Sequence, residues 1–330
     1  MPSRKPSKYI SLILAATILG AVVLLFWWSS NVGSIMRSKA VPIVKDNSKV
    51  ELGRKLFFDK RLSGDNTISC VSCHNPKLAF TDGKKISAGV EGRLSFRNTP
   101  TLLNVVEATS FMFDAEIKTL EEQAIVPIQD HTEMNIRMGD LIRKLRAIPE
   151  YNKSSKEIFN KEFDASVLTK SLAAFQKSLV SKNSLFDQFQ ASGDSSLFNE
   201  AQLEGWSKFN ELDCIKCHEL PNLTDYLPYN VGLYMDYGGD QGRFRVTHDS
   251  IDMGKFKTPT LRNVELTAPY FHDGSAQSLS DVIQSHTRSF KWHPNKDKRI
   301  QISKLTTEEE QKIIDFLKTV TDTTFLLNFN

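Results

Sequence analysis

The sequence is poor in cysteine and has no excess of charge of either sign. All four cysteines of the 330 residues fall within two short motifs, so none remains for a structural disulfide or a separate metal site. The formal net charge of +3 comes from Arg4, Lys5 and Lys8, because the remaining 39 basic residues balance the 39 acidic ones. A neutral body gives no support to a nucleic-acid partner.

The sequence also lacks convincing runs of alternating apolar and polar residues, which would indicate half-buried strands, and helical patterns recur instead. One helical face carries the apolar residues Leu168, Leu172, Phe175 and Leu179. Three helices have capping boxes at their starts: Thr119 with Glu122, Ser278 with Asp281, and Thr307 with Glu310. We therefore predict a mostly α protein.

Two Cys-x-x-Cys-His motifs dominate the chain, Cys70-Val71-Ser72-Cys73-His74 and Cys214-Ile215-Lys216-Cys217-His218. Two thiols one helical turn apart can add to the two vinyl groups of a haem while the adjacent imidazole binds the iron. A redox Cys-x-x-Cys would not need the histidine, and a zinc site pairs its Cys-x-x-Cys units over a few tens of residues. We predict two covalently bound c-type haems, with His74 and His218 as iron ligands.

An internal repeat follows the two motifs. Asn98-Thr99-Pro100-Thr101-Leu102 returns as Lys257-Thr258-Pro259-Thr260-Leu261, and Phe113-Asp114 returns as His272-Asp273. The second copy also carries a Gly- and Tyr-rich insertion between Leu220 and Phe256. We predict two haem-binding halves, residues 49–164 and 165–330, with the boundary just before the long helix that leads towards the second motif.

Residues 1–30 combine a basic start with a charge-free apolar run from Tyr9 to Trp28. A run of about 20 such residues spans a bilayer, and aromatic residues stand at both of its ends. We predict an uncleaved membrane anchor followed by a tether over residues 31–48. A cleaved signal peptide is the alternative, although its apolar core would be shorter. In both cases the haem-binding part is exported to the periplasm, as c-type haem attachment requires.

The order of these motifs resembles that of the bacterial di-haem cytochrome c peroxidases, whose superfamily includes the tailoring enzyme of methylamine dehydrogenase. The resemblance extends from about Leu52 to the C-terminus and rests on the runs CVSCHNP, FRNTPTLLN, LEEQAIVPI, CIKCHEL and FKTPTLRNVELTAPYFHDG. It implies two pseudo-repeated cytochrome c-like domains, with a peroxidatic haem in the first and an electron-transfer haem in the second. It also implies hydrogen peroxide as substrate and a small donor protein, a c-type cytochrome or a cupredoxin, and it allows a homodimer.

The resemblance assigns the catalytic acid-base to Glu133 and other residues of the distal pocket to Gln123 and Pro127. Gln123 lies on the helix that Thr119 caps, and we expect Pro127 to end that helix. A single glutamate over an open iron can take the proton from the near oxygen of peroxide and return it to the leaving oxygen. The alternatives are a surface glutamate in a charged loop and, less favoured, His131 as the base.

Two positions depart from the family pattern. Many relatives have a histidine in the loop after the first haem that leaves the iron on reductive activation, but Val90 stands there, and no histidine occurs between His74 and His131. We therefore expect a first haem that is open at rest. Phe113 stands where the family usually has an oxidisable tryptophan, which counts against a tailoring oxidase. A non-catalytic di-haem electron carrier is the third hypothesis, and it predicts that both irons are six-coordinate.

His286 lies on the apolar face of the helix that Ser278 caps. The family places the sixth ligand of the electron-transfer haem here, usually a methionine or, in the tailoring branch, a tyrosine. We predict that His286 is this ligand. Met253 and Met235 are the alternatives, and a packed core histidine is the simpler interpretation.

The resemblance also implies a calcium ion between the halves, held largely by an asparagine side chain and backbone carbonyl groups. The matching residues are Asn98, Thr267 and Pro269. Oxygen ligands of this kind suit a hard cation, although no acidic cluster in the sequence indicates the site.

Overall fold

The computed structural model describes residues 47–288 and 290–327, which belong to one compact unit. The predicted membrane anchor, residues 1–30, lies outside the described residues. Within those residues no helix is both long enough and apolar enough to cross a membrane.

The described chain is mostly helical, as the sequence predicted. Its α-helices are α1 (Asn47–Phe58), α2 (Cys70–Cys73), α3 (Leu120–Gln123), α4 (Ile125–Gln129), α5 (Met138–Arg146), α6 (Pro149–Phe159), α7 (Ala165–Ser178), α8 (Leu185–Ser192), α9 (Glu200–Glu211), α10 (Phe244–Thr247), α11 (Leu279–Thr287), α12 (Thr307–Lys318) and α13 (Thr323–Leu327). The 3-10 helices are Lys60–Leu62, Pro76–Leu78, Val90–Gly92, Val105–Glu107, Ser195–Leu197, Cys214–Lys216, Ser250–Asp252 and Val264–Leu266. The strands β1 (Pro228–Tyr229) and β2 (Phe256–Lys257) form one short antiparallel pair in the insertion of the second half, with Pro228 opposite Lys257.

Each half is built on two helices that cross at a glycine. A Cβ atom on Gly53 of α1 would lie well under 3.0 Å from the carbonyl oxygen of Ser171 in α7. A Cβ atom on Gly205 of α9 would lie equally close to the carbonyl oxygen of Lys312 in α12. Since any side chain at either glycine would force the helices apart, the two crossings are equivalent and the repeat in the sequence is also a repeat in the structure.

Helix α7 belongs by packing to the first half. It lies against α1 and α3, and Leu168, Leu172 and Phe175 are buried in the same apolar core as Phe57 of α1. The sequence placed this helix at the start of the second half. Its apolar face was recognised correctly, but a periodic pattern does not reveal which core covers that face. A second apolar core fills the other half, around Phe316 and its neighbours.

Thr119 and Ser278 cap α3 and α11 as predicted, each accepting a hydrogen bond from the backbone N–H three residues on. The third predicted cap is wrong by one residue. The Thr306 hydroxyl accepts the N–H of Glu309, because adjacent threonines followed by three glutamates allow either register. Glu310, which the prediction used, is buried instead and binds Arg288 at 3.0 Å.

Pro127 does not end a helix. The chain turns at Ala124, helix α4 begins at Ile125, and it continues to Gln129. Proline is tolerated in the first turn of a helix because its missing N–H would have no acceptor within the helix there.

Candidate functional site

The first Cys-x-x-Cys-His motif occupies α2 and the residue that follows it. Nδ1 of His74 lies 3.0 Å from the carbonyl oxygen of Phe80. Burial lowers the pKa of His74, so the ring is neutral. Donation of the Nδ1 proton to this carbonyl leaves the lone pair on Nε2, and the imidazole is prepared to bind a metal through that atom.

The second motif repeats this arrangement on the 3-10 helix Cys214–Lys216. Nδ1 of His218 lies 3.0 Å from the carbonyl oxygen of Leu223. Burial lowers the pKa of His218 to about 4. In both halves, therefore, a carbonyl group a few residues downstream orients the imidazole and fixes its tautomer.

The four thiols complete the two sites. Burial raises the pKa of Cys70 and of Cys214 to about 12, and that of Cys217 to about 11. All four cysteines lie within the described residues, and none of them forms a disulfide there. Two protonated thiols in apolar surroundings next to a neutral imidazole are the donor set that a c-type haem requires, since its vinyl groups take the thiols and its iron takes the imidazole.

His286 lies on the last turn of α11, the helix that Ser278 caps. Its Nδ1 is 2.8 Å from the carbonyl oxygen of Val282, so Nε2 is again left with the lone pair. Burial lowers its pKa, and the ring of Phe271 stacks on it with the ring centroids 5.8 Å apart. A proton on His286 would lower the pKa of His218, after the larger effect of burial, so the two imidazoles lie within electrostatic range of each other.

The alternative ligands are placed differently. Met235 is 71% exposed at the surface of the insertion. Met253 is half-buried, and its carbonyl oxygen accepts a hydrogen bond from the side chain of Asn230. His286 is thus the residue that the described structure brings to the second motif with a free ring nitrogen.

Glu133 lies beside the first motif. Burial and, to a smaller extent, the charge of Asp130 raise its pKa to about 7. The carboxylate is close enough to Cys70 and Cys73 to raise the pKa of both thiols further, after burial. A half-buried carboxyl group that titrates near neutral pH can both accept and donate a proton there.

Of the other residues expected in this region, Pro127 contacts the loop that carries Glu133. The carbonyl oxygen of Pro127 accepts the N–H of Met134 at 3.1 Å, which ties α4 to the Glu133 loop. Gln123 is half-buried at the end of α3. The side chain of His131 is 79% exposed and 3.8 Å from Asp130, as expected for a solvated loop histidine.

Val90 contacts the same loop from the other side. It is almost fully buried, and its backbone N–H donates to the carbonyl oxygen of Glu133 at 2.9 Å. A Cβ atom on the preceding residue, Gly89, would lie well under 3.0 Å from the carbonyl oxygens of Thr132 and Glu133. Only glycine allows this approach, so the segment that holds Val90 also fixes the backbone of Glu133.

Phe113 lies where the two halves of the repeat meet. Its carbonyl oxygen accepts the backbone N–H of Lys257 at 2.6 Å. The next residue, Asp114, is fully buried and binds Arg97 of its own half at 3.0 Å and Arg245 of the insertion at 2.7 Å. The insertion therefore supplies cations that hold the halves together around Asp114.

Sequence reasoning missed Lys257, although the repeat contained the signal. It occupies the position equivalent to Asn98, so an ammonium group stands in one half where an amide stands in the other. Burial lowers the pKa of Lys257 to about 8, and Nζ lies 5.5 Å from the ring centroid of Tyr226.

The three residues assigned to calcium lie on two segments that touch. The backbone N–H of Asn98 donates to the carbonyl oxygen of His272 at 2.7 Å, and its Nδ2 donates to that of Lys84 at 2.8 Å. Thr267 donates to the carbonyl oxygen of Val264 at 3.2 Å, and Pro269 follows a cis peptide bond. No group of three or more His, Cys, Asp or Glu residues in the described part of the chain could hold a metal ion.

Comparison with known proteins agrees with this geometry. A family model described as di-haem cytochrome c peroxidase matches residues 47–196. The chain is 35% identical over 276 residues to cytochrome c551 peroxidase of Nitrosomonas europaea, covering 82% of this chain and 79% of that protein. It is 33% identical over 292 residues to the methylamine utilization protein MauG of Methylorubrum extorquens, covering 87% and 81%.

A solved structure gives the same result. The crystal structure of a MauG-like protein associated with microbial copper homeostasis matches with a TM-score of 0.80 and 29% identity, over 86% of this chain and 93% of that one. A family of di-haem proteins implies two c-type haems, and the two Cys-x-x-Cys-His sites described above are suited to hold them. The chain therefore belongs to the di-haem cytochrome c peroxidase family and is an oxidoreductase that acts on peroxide.

Proposed function

We propose that the chain reduces hydrogen peroxide to water at the first haem, with electrons that a small redox protein delivers to the second. The observation that carries the proposal is Glu133, a half-buried carboxyl group with a pKa raised to about 7 beside the first haem motif. Glu133 is held from both sides, by α4 through Pro127 and by the Val90 segment. Such a group is suited to move protons at a fixed place and at neutral pH.

The reaction consumes one peroxide, two electrons and two protons and forms two water molecules. Cys70, Cys73 and His74 would hold the haem of the first half, and that haem would supply the iron for peroxide binding and the redox chemistry that breaks the oxygen–oxygen bond. In its ionised form Glu133 takes the proton from the oxygen nearer the iron and returns it to the leaving oxygen, so that water departs rather than hydroxide.

The two halves would play different parts because they differ in the residues available as a second iron ligand. In the second half, His218 and His286 together would hold an iron and leave no place on it for peroxide. In the first half, the buried residue Val90 has no group that could bind an iron held by His74, which would leave that iron open to peroxide. The second haem is therefore the entry point for electrons and the first is the peroxidatic one.

The proposal also includes a bound calcium ion and a cellular location for the protein. A calcium ion at Asn98, Thr267 and Pro269 would be bound by amide and carbonyl oxygens, a kind of site that needs no acidic cluster. Periplasmic location, with residues 1–30 as a membrane anchor, follows from the attachment of c-type haem outside the cytoplasm.

Peroxide consumption by the protein with both haems attached, with a small synthetic reductant as electron donor, tests the proposal. Glu133→Gln should keep both haem spectra and lose peroxide turnover by about 10²–10⁴-fold, the usual contribution of a positioned proton-transfer group. Glu162→Gln is the matched control because Glu162 is exposed. Retention of turnover within a few-fold in Glu133→Gln would remove Glu133 from the mechanism. If the wild type does not turn over peroxide, the proposal is wrong and the non-catalytic electron carrier becomes the favoured function.

A further inference from the structure

Residues 290–304, called here the basic segment, carry an unusual charge for this chain. They contain five cations, Lys291, Lys296, Lys298, Arg299 and Lys304, against the single carboxylate of Asp297. The protein outside its first eight residues is neutral by count only when this segment is included. The segment follows directly after the part of the chain that carries His286.

Backbone contacts hold the basic segment against the insertion, and one side-chain contact joins it to the second haem motif. Lys291 donates its N–H to the carbonyl oxygen of Gly232 at 2.6 Å, and Asp297 donates to that of Asn230 at 2.8 Å. The Arg299 guanidinium donates at 3.3 Å to the carbonyl oxygen of Lys216, which lies between the two cysteines of the motif. The segment is thus held at the peptide to which the second haem is attached.

Two of the five cations serve this attachment. Arg299 binds Asp297 at 2.9 Å and lies 4.4 Å from the ring centroid of Tyr229. Lys296 lies 4.3 Å from the ring centroid of Phe290 and donates to the carbonyl oxygens of Asp297 and Ile300. Their charges are used within the protein.

The other three cations, Lys291, Lys298 and Lys304, are exposed. None of their ammonium groups has a carboxylate partner within the described residues. Trp292, the residue after Lys291, belongs to the same segment and is 76% exposed. A large aromatic side chain left in water, in a segment that also carries unpaired cations, is typical of a protein interface rather than of an ordinary solvated surface.

We propose that the basic segment is the docking surface for the electron donor, and that this donor is a small redox protein with an acidic patch around its own cofactor. Charge complementarity would steer the donor to the edge of the second haem, while Trp292 packs on its apolar centre. The inference rests on the proposed function and adds the chemistry of the partner. A protein partner is favoured over an anionic membrane because the segment is fixed to the haem motif itself.

The test measures reduction of the second haem in stopped flow by a reduced acidic c-type cytochrome, by a reduced basic one, and by a small neutral reductant. The wild type should react faster with the acidic protein, and this rate should fall steeply with ionic strength. In the triple variant Lys291→Glu, Lys298→Glu and Lys304→Glu, the rate of haem reduction by the acidic cytochrome should fall about 10–100-fold. The rate with the small reductant should not change. Trp292→Ala should slow haem reduction by the acidic cytochrome without changing how that rate depends on ionic strength.

The matched control reverses three exposed lysines of the first half, Lys60, Lys156 and Lys170, with the same change in net charge. An equal loss of rate in this control would show that total charge, not the position of the charges, decides the rate, and it would contradict the proposed docking surface. An unchanged rate in the triple variant would contradict it as well. If the triple variant loses binding to vesicles of anionic phospholipid but keeps the wild-type rate of reduction by the acidic cytochrome, the surface is a membrane contact and the proposal is wrong. Because haem reduction is measured directly, its result is independent of peroxide turnover, on which the proposed function depends.

Discussion

The pH at which this protein reacts with peroxide should be set by Glu133. The carboxyl group must be ionised to take the first proton, and burial followed by the charge of Asp130 raises its pKa from the usual 4.5 to about 7. The active form is therefore lost as the pH falls through 7, much earlier than for an ordinary glutamate.

The size of the effect follows from these two values. With a pKa of about 7, roughly 3% of Glu133 is ionised at pH 5.5 and roughly 90% at pH 8, so the second-order rate constant should rise about 30-fold over this range. With the ordinary value of 4.5, the rise would be only about 1.1-fold. The two cases are easily separated by stopped-flow measurements of the oxidised protein with peroxide.

Two variants make the measurement specific. Asp130→Asn removes a negative neighbour, so it should lower the pKa of Glu133 and move the midpoint of the profile to lower pH. Glu133→Gln should flatten the profile altogether while it lowers the rate. A wild-type rate that is constant between pH 5.5 and 8, or a profile that survives in Glu133→Gln, would refute this assignment of the titrating group.

Further outcomes are expected for four variants and for the oxidised wild type. His286→Met should raise the midpoint potential of the second haem in a redox titration and add a sulfur-to-iron absorption band, because a thioether favours Fe(II) more than imidazole does; an unchanged spectrum would make His286 a packed core residue. Gly205→Ala should destabilise the fold by about 3 kcal/mol or more in denaturant unfolding, because its methyl group would overlap the backbone of Lys312. Gly139→Ala, in open space on a helix, should instead stabilise by about 0.4–1 kcal/mol. The oxidised protein should react with peroxide before any reduction, and Val90→His should make that reaction depend on prior reduction of the second haem.

The sequence was sufficient for the parts of the fold that are encoded locally. The two haem motifs, the repeat and the caps Thr119 and Ser278 each depend on a few neighbouring residues, and the helical class and the family are confirmed. The partner of α7 was not predictable, because Leu168 and Phe175 show that a helix has an apolar face without showing which core receives it. The cap at Thr306 was missed because the adjacent threonines give two equivalent patterns.

The candidate site was predictable only as residue types. Glu133 was selected by its match to a family position, and nothing in its neighbourhood indicated that it would be buried. The contact that fixes it joins Val90 to Glu133 across more than 40 residues, and it depends on the absence of a side chain at Gly89. Such a contact is a property of the folded backbone, so no local pattern could reveal it.

The two halves share one scaffold, and one position of the repeated helix, in addition to Val90, distinguishes their proposed roles. Thr119 and Ser278 are equivalent caps, and eight residues after each of them stand Pro127 and His286. In the second half α11 continues unbroken to that position and carries an imidazole with a free Nε2. In the first half the helix is interrupted at Ala124, and the proline has no group that can bind a metal. The same scaffold would therefore close one iron to peroxide and leave the other open, with Glu133 as the proposed proton-transfer group beside it.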